Sequence, residues 1–441
     1  MTRTGDLSYD AYLSFQTSDG TAVSGQDYTG ITGTLKIPAG VSSTSLPVSI
    51  WGSNVSVPDK SFTLQIPGAS STPPVPSFAP LQTFATGTFA YSVTVADVNG
   101  DGKPDLITAD ANSSDVSVLI NTTAPGATTP SFAPRQSLAT GASPWAVTAA
   151  DVNGDGKVDL IVAVRDNAQV SVFLNTTPAG SSTASFAAPQ NFAIAGQQPP
   201  FDVTTADLND DGLPDVVVTL ENGGIDIFLN GTTPNGTVAA FQAPQVFGTN
   251  GSFSVSTAAA DLNGDGKPDL VVTNKSDATL WVLLNTTAPG ATVASFDPIQ
   301  TFPAGSFTFG VAAADLNGDG VPDVVYTDRA AGTVTVMLNG TASGSHTASF
   351  IGQQTFTVGG LPYSVVVTDI NGDGVPDLVV ANSSNSTISV LLNTTLPGAS
   401  TPSFAAQQTF ADDGSYSIKA ADLNADGRPD LVVAGGDNNV A

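Results

Sequence analysis

A chain of 441 residues holds two or more ordinary domains, or one small domain and a long repeat array. Its 12 lysines and arginines face 39 acids, a formal charge of −27, which argues against nucleic acid and anionic lipid and makes cations the expected partners. Without cysteine, and with His346 as the single histidine, the chain has no disulfides, no thiolate metal sites and no zinc chemistry. No apolar run approaches the roughly 20 residues of a membrane span, so no membrane insertion is expected. The opening "MTRTGDLSYD" lacks the basic start, apolar stretch and small-residue cleavage site of a secretory signal. The expectation is a monomeric module from inside a longer protein.

Residues 1–66 alternate polar and apolar residues between turn signals in "AYLSFQTSDGTAVSGQDY", "GTLKIPAG" and "SLPVSI". This predicts a small antiparallel sandwich. Residues 67–77, "PGASSTPPVPS", read as a semi-rigid Pro- and Ser-rich linker.

From 78 to 441 the chain repeats. A nine-residue acidic loop, DVNGDGKPD at 97–105, returns at 151, 207, 261, 315, 369 and 422, at intervals of 53 to 56 residues. One unit, 132–185, has four strand-like pieces rich in Val, Phe, Thr and Ile: "FAPRQSLA", "WAVTAA", "VDLIVAV" and "VSVFLN". Four short strands per unit, apolar or small on both faces and with no helical period, predict an all-β, seven-bladed propeller. Seven outer pieces begin at Phe78, Phe132, Phe186, Phe241, Phe296, Phe350 and Phe404, but the third piece occurs only six times before the sequence stops at "DNNVA". The expectation is therefore a closed ring whose seventh blade lacks one strand, with "FAPLQTFA" as that blade's outer strand.

In DxNxDGxxD, carboxylates at positions 1, 5 and 9 and the amide oxygen at position 3 can converge on one point. Position 7 adds a backbone carbonyl, and the glycine at position 6 permits the turn. Six to eight hard oxygen ligands in flexible geometry describe a Ca²⁺ site. The candidate ligands run loop by loop. The first three sets are Asp97, Asn99, Asp101, Lys103 and Asp105; Asp151, Asn153, Asp155, Lys157 and Asp159; Asp207, Asn209, Asp211, Leu213 and Asp215. The fourth and fifth are Asp261, Asn263, Asp265, Lys267 and Asp269, then Asp315, Asn317, Asp319, Val321 and Asp323. The last two are Asp369, Asn371, Asp373, Val375 and Asp377, then Asp422, Asn424, Asp426, Arg428 and Asp430. Up to seven calcium ions are expected.

The flanks are strands, and the bidentate glutamate of an EF-hand is missing, so the expected site is strand-loop-strand. The competing reading is an Asp-Gly hairpin turn without metal; three acids in nine residues, seven times over, favour metal. These aspartates supply more than half of the chain's acids, so the charge is concentrated rather than a solvating coat, and halophilic adaptation is the weaker explanation. Position 4 departs from glycine at Asp210 and Ala425, neither a ligand. At millimolar calcium and a dissociation constant near 10⁻⁴ M, each site stabilises by about 1.4 kcal/mol, on the order of 10 kcal/mol for seven. Seven divalent ions would also change the formal charge from −27 to −13. Calcium is thus expected to be structural.

At these residues the chain resembles the FG-GAP and VCBS repeat family, whose members include the propeller of integrin α subunits. The resemblance covers 78–441. It implies a seven-bladed propeller with Ca²⁺ in the loop between the first two strands of each blade, in secreted or surface bacterial proteins that bind or adhere. The N-terminal segment resembles a Calx-β domain in "RTGDLS", "TSDGTAVSGQDY" and "GTLKIPAG", without its first strand. The acidic calcium stretch of that family is reduced here, in "WGSNVSVPDKSF", to Asp59, so no calcium is expected in this domain.

Six residues before each loop stand Tyr91, Trp145, Phe201, Val255, Phe309, Tyr363 and Tyr416. The six aromatics are either a ring of stacking surfaces for sugars or peptide side chains, or packing between neighbouring blades, the favoured reading. "NTT" at Asn121, Asn175, Asn285 and Asn393, and "NGT" at Asn230, Asn235 and Asn339, match the glycosylation sequon, but their recurrence at strand ends argues for a turn role. His346 lies in a stretch with no orienting acid and no nucleophile elbow. The expected function is a secreted or cell-surface calcium-binding adhesion module with an unidentified protein or carbohydrate ligand, and not an enzyme. The alternatives are part of a polysaccharide-active enzyme, or a spacer in a large surface protein. Against catalysis, the sequence outside the loops is poor in catalytic residue types.

Overall fold

A computed structural model describes residues 11–19, 21–24, 28–29, 31–37, 41, 44–50, 60–70, 75–248, 253–412, 414–436 and 438–441. It is built from strands, with one short 3₁₀ turn at Ala195–Gln197 and no α-helix among the described residues.

In the N-terminal segment, strand Ala11–Asp19 lies between Thr32–Ile37 and Phe62–Ser70, antiparallel to both. Tyr28 stacks on Phe62 at 4.4 Å. The described residues thus give one three-stranded sheet rather than the two facing sheets of a sandwich. Among the described residues, "SLPVSI" contributes one isolated bridge, Ile50 to Tyr28, and its Pro47 has no amide to offer a ladder. The third strand runs to Ser70, into the segment expected to be linker. Pairing shifts between Ser14 and Gln16, opposite Pro67, so the missing amide of the proline falls at an irregularity. "RTGDLS" and Asp59 lie outside the described residues.

The repeats form seven four-stranded antiparallel sheets. In one of them the strands are Pro144–Ala150, Asp159–Val164, Gln169–Phe173 and Gln190–Ala193. Each sheet therefore takes three strands from one repeat and its outer strand from the next. Burial explains the composition. The second strand is buried on both faces, as in "DLIVAV", and reads as a continuous apolar run, whereas the outer strand "QNFA" alternates half-buried with exposed.

Side chains of adjacent sheets interleave into successive clusters. Ile107 and Val118 of the first sheet pack with Leu160 and Val162 of the second. Val379 and Val390 of the sixth pack with Ile418 and Val433 of the seventh. Val432, Ala434 and Val440 of the seventh pack with Ala90, Leu106 and Leu119 of the first. Phenylalanines at the two ends of the outer piece meet edge to face across sheets, as in Phe84 with Phe132 at 4.8 Å and Phe302 with Phe350 at 4.9 Å.

The seventh sheet corrects the expected missing strand. Asn439–Val440 forms a two-residue third strand between Asp430–Gly435 and Phe84–Ala85, the outer strand lying in "FAPLQTFA" as expected. Five or so residues fill that place in other sheets. Two suffice here because Val440 is fully buried in the cluster shared with the first sheet.

Candidate functional sites

Each acidic loop joins the first strand of a sheet to the second, so all seven share one rim. In the first loop, Asp97 accepts the amides of Asp101 at 3.1 Å and Gly102 at 2.7 Å. Asn99 Oδ1 accepts the same Asp101 amide at 3.1 Å, and Asp101 accepts that of Lys103 at 3.0 Å. Positions 1, 3 and 5 therefore close on one short run of backbone. Asp151, Asn153 and Asp155, and Asp422, Asn424 and Asp426, repeat this arrangement. Gly102 at position 6 has φ 84°, which only glycine adopts without strain.

Position 9 is engaged elsewhere. Asp105 is fully buried, with Oδ2 accepting the Val98 amide at 2.9 Å and Oδ1 the Asn121 amide at 2.7 Å. Asp159, Asp215, Asp269, Asp323 and Asp377 do the same with Asn175, Asn230, Asn285, Asn339 and Asn393. Burial pushes the carboxyls of Asp105, Asp159 and Asp215 up to about 7, those of Asp269 and Asp323 to about 6, and that of Asp377 to about 8, with neighbouring loop aspartates adding to the rise. Asp430 also rises through burial. Among the described residues, no three His, Cys, Asp or Glu side chains gather closely enough to hold a metal ion. The expected convergence of positions 1, 5 and 9 is thus replaced by a hydrogen-bonded loop braced from below. The donor set still suits a hard divalent cation. It offers carboxylate, amide and carbonyl oxygens on a curled backbone, and a buried carboxylate at position 9 with no cationic partner.

Two asparagine series, one expected as ligands and the other as turn residues within sequon-like triplets, tie the sheets together. Asn175 Nδ2 donates to Val158 O in its own sheet and Val98 O in the preceding one, both at 2.8 Å. Asn230, Asn285, Asn339 and Asn393 repeat this bridge, and Asn121 makes it to Leu423 in the seventh sheet. These asparagines are buried, which supports the turn role and adds an intersheet one. Asn235 is the exposed exception. In the opposite direction, Asn99 Nδ2 at loop position 3 donates to Ser181 O in the following sheet at 2.9 Å. Asn153, Asn209, Asn263, Asn317 and Asn424 make the same contact, which an aspartate could not. The conversion from sheet to sheet at a fixed offset, about 77 residues back and 82 forward, was present in the sequence as a repeat but required the sheet stacking to be seen.

The ring of aromatics meets at the axis. Tyr91 lies 4.7 Å from Trp145 and 5.4 Å from Tyr416, Phe201 is 5.7 Å from Phe309, and Tyr363 is 4.5 Å from Phe309 and 4.8 Å from Tyr416. Phe201, Val255 and Phe309 are buried and the other four half-buried. The rings pack on one another across the axis as well as between neighbours. Beneath them is a cavity of about 190 Å³ lined largely by small and hydroxyl side chains, with one carboxylate, Asp202, and one ammonium, Lys419. Asp202 accepts the Ser256 hydroxyl at 3.0 Å, and burial raises its pKa.

At the outer edge, His346 Nδ1 lies 2.8 Å from Asp297 Oδ2, so an orienting acid does exist, contrary to expectation. Asp297 lies 49 residues earlier, at the other end of the same repeat, which sequence proximity could not reveal.

Seven like sheets packed in succession, each with an acidic first loop, define a β-propeller-like repeat protein. The FG-GAP-like repeat pattern matches at 97–162, 151–218, 207–272, 261–326, 315–380 and 369–433, and the chain belongs to that family. A Calx-beta domain matches residues 1–86, past the expected boundary at 66. None of the curated proteins compared matches the chain in sequence. Among solved structures, a lectin from Agrocybe aegerita that recognises non-reducing terminal N-acetylglucosamine is 18% identical with a TM-score of 0.50, covering 96% of each chain. A protein from Lactobacillus plantarum is 12% identical with a TM-score of 0.52, covering 92% of this chain and 97% of its own. BBS1N, solved in complex with ARL6DN, is 12% identical with a TM-score of 0.51, covering 81% and 91%. At these identities the likeness is one of fold. No helix among the described residues is long and apolar enough to cross a membrane.

Proposed function

We propose that the chain is a calcium-stabilised, seven-bladed propeller serving as an extracellular or cell-surface ligand-binding and adhesion module, without catalysis. The observation that carries this reading is the same curled acidic loop at the first turn of every sheet, joined to its neighbours by the asparagine bridges. Positions 1, 3 and 5 would hold the ion through side chains and position 7 through its carbonyl, with Asp105 and its equivalents beneath. Calcium would supply positive charge where carboxylates crowd, fastening the loop and thereby the rim. The loops themselves do the rest: they orient oxygens through their own amides and carry the bridges between sheets.

A second reading, the carbohydrate-binding part of a polysaccharide-active enzyme, is favoured by the axial aromatic cluster and by the saccharide recognition of the Agrocybe aegerita lectin. The test is calcium titration of the chelated protein by calorimetry, with thermal melts in calcium and in chelator. Up to seven ions and a large fall in Tm on chelation are expected. An unchanged melt with no calcium heat would remove the proposal.

A further inference from the structure

On the face opposite the acidic rim, the residue after the second strand is Arg165, Glu221, Lys275 and Arg329 in four successive sheets. In a chain of only 12 cationic side chains, three thus stand close together around the aromatic cluster. Each lies over a ring face. The Arg165 guanidinium is 4.6 Å from the Trp145 centroid, the Lys275 ammonium 3.6 Å from Phe253, and the Arg329 guanidinium 4.0 Å from Tyr363 and 4.7 Å from Phe309. Stacking of this kind holds a cation in place while leaving its hydrogen-bond donors unused.

The cations differ in their anionic partners. Arg165 is paired by Glu221, the only glutamate in the chain, through Nε to Oε1 at 2.7 Å and Nη2 to Oε2 at 3.0 Å, and by Asp166 through Nη1 to Oδ1 at 3.1 Å. Lys275 and Arg329 have no carboxylate partner among the described residues, and Arg329 Nε is buried without any hydrogen-bond acceptor. Asp328, beside Arg329, is occupied with the amides of Ala330 and Ala331. Burial lowers the pKa of Lys275; the Glu221 carboxylate opposes the fall from beyond salt-bridge distance, and repulsion from Arg329, a smaller effect, adds to it. Burying unpaired positive charge is costly unless an anion completes the site, and bidentate carboxylate pairing, as Glu221 gives Arg165, is the geometry an arginine accepts best.

We propose that Lys275 and Arg329 form an anion site for an acidic saccharide, a sugar ring carrying a carboxylate. The carboxylate takes the place at Lys275 and Arg329 that Glu221 fills at Arg165. The sugar ring lies against the half-buried tyrosines of the cluster, whose faces suit its C–H groups and whose hydroxyls suit its own. This rests on the ligand-binding reading above and specifies its ligand class.

The test is calorimetry on the whole chain in calcium at low salt. The probes are cellobiouronic acid, its neutral parent cellobiose, an acidic hexapeptide and inorganic sulfate. The expected result is that cellobiouronic acid binds at least tenfold tighter than cellobiose, sulfate or the peptide. Lys275→Met and Arg329→Met should each weaken it at least tenfold with the melt in calcium no lower, and Glu221→Gln, by removing the carboxylate that attracts both Arg165 and Lys275, should strengthen it. Equal binding of cellobiose, or binding indifferent to both substitutions, overturns the site. Sulfate binding as tightly overturns the saccharide, and a tighter peptide overturns it in favour of an acidic protein partner. If the two single variants lower the melt, Arg329→Lys must keep the melt and still weaken binding. Because the calcium-dependent melt is measured on the same samples, loss of the anion site with that melt intact leaves the propeller reading standing.

Discussion

Asn121 donates its side-chain amide to the backbone carbonyl of Leu423 at 2.9 Å, joining the first sheet to the seventh across 302 residues of sequence. The same amide reaches Pro104 O, and Asn121 Oδ1 accepts the Thr123 amide. Asn424 answers it in the other direction, donating to Ala127 O across 297 residues. Two neutral amide side chains thus connect the ends of the repeat array.

Asn121→Ala removes two donors and an acceptor from a buried position. At about 0.5–1.5 kcal/mol per hydrogen bond, with carbonyls left without partners, the expected loss is about 2–3 kcal/mol, read by urea denaturation in calcium. Asn175→Ala, the same bridge between the second and first sheets, should cost a similar amount. A loss below about 0.5 kcal/mol in both would show that water replaces the bridge.

In Asp97→Asn the position 1 side chain keeps one oxygen, for the amide of Gly102 or Asp101, but gives up its charge and its second acceptor. Calcium stoichiometry should fall by one, while stability in chelator falls only by the lost hydrogen bond, about 0.5–1.5 kcal/mol. Should the ion count stay the same, position 1 is not a ligand.

Asp226 is buried in the third sheet with Oδ2 on the Ala195 amide and Oδ1 unpartnered, and burial raises its carboxyl to about 6. The folded chain therefore holds this proton more tightly than the unfolded chain, whose carboxyl has the ordinary value of 3.8. Its stabilisation is complete below that value and is lost as pH rises through about 6. Asp226→Asn, which cannot ionise, should become more stable relative to the parent between pH 4 and pH 8, by at most about 3 kcal/mol. A difference independent of pH would place the ionisation elsewhere.

Loop position 4 is left-handed whichever residue occupies it, with φ 66° at Gly100, 50° at Asp210 and 55° at Ala425. Non-glycine residues pay about 1–2 kcal/mol there, partly offset by the greater freedom of glycine when unfolded. Ala425→Gly should therefore stabilise by about 0.5–1 kcal/mol in thermal denaturation. Destabilisation would mean that the methyl group makes packing contacts worth more than the strain.

The repeat period, the strand-like pieces of each unit, the acidic loop at the first turn and the recurrence of aromatics near one end of the inner strands were all legible, because each is written in the residues of one unit. The loop was read as a set of five ligands, and there the reading was incomplete. Nothing local distinguishes a position 9 aspartate that faces an ion from one whose oxygens are taken by Val98 and Asn121. The sequon asparagines looked like turn residues, since their second acceptor lies in another sheet.

The sequence alone determined the chemistry of each unit: where it turns, which strand is buried on both faces, and where acids and rings recur. Only the tertiary structure decided what each unit meets. It set Asn121 against Leu423, Arg329 over Tyr363, His346 beside Asp297, and fitted Asn439–Val440 into the last sheet. The physical reason is distance along the chain. Outside the last sheet, strand pairing and turn formation act within a few tens of residues and leave their mark on composition and spacing. Contacts between stacked sheets depend on how those sheets are rotated against one another, which burial of both faces of every second strand fixes for all seven at once.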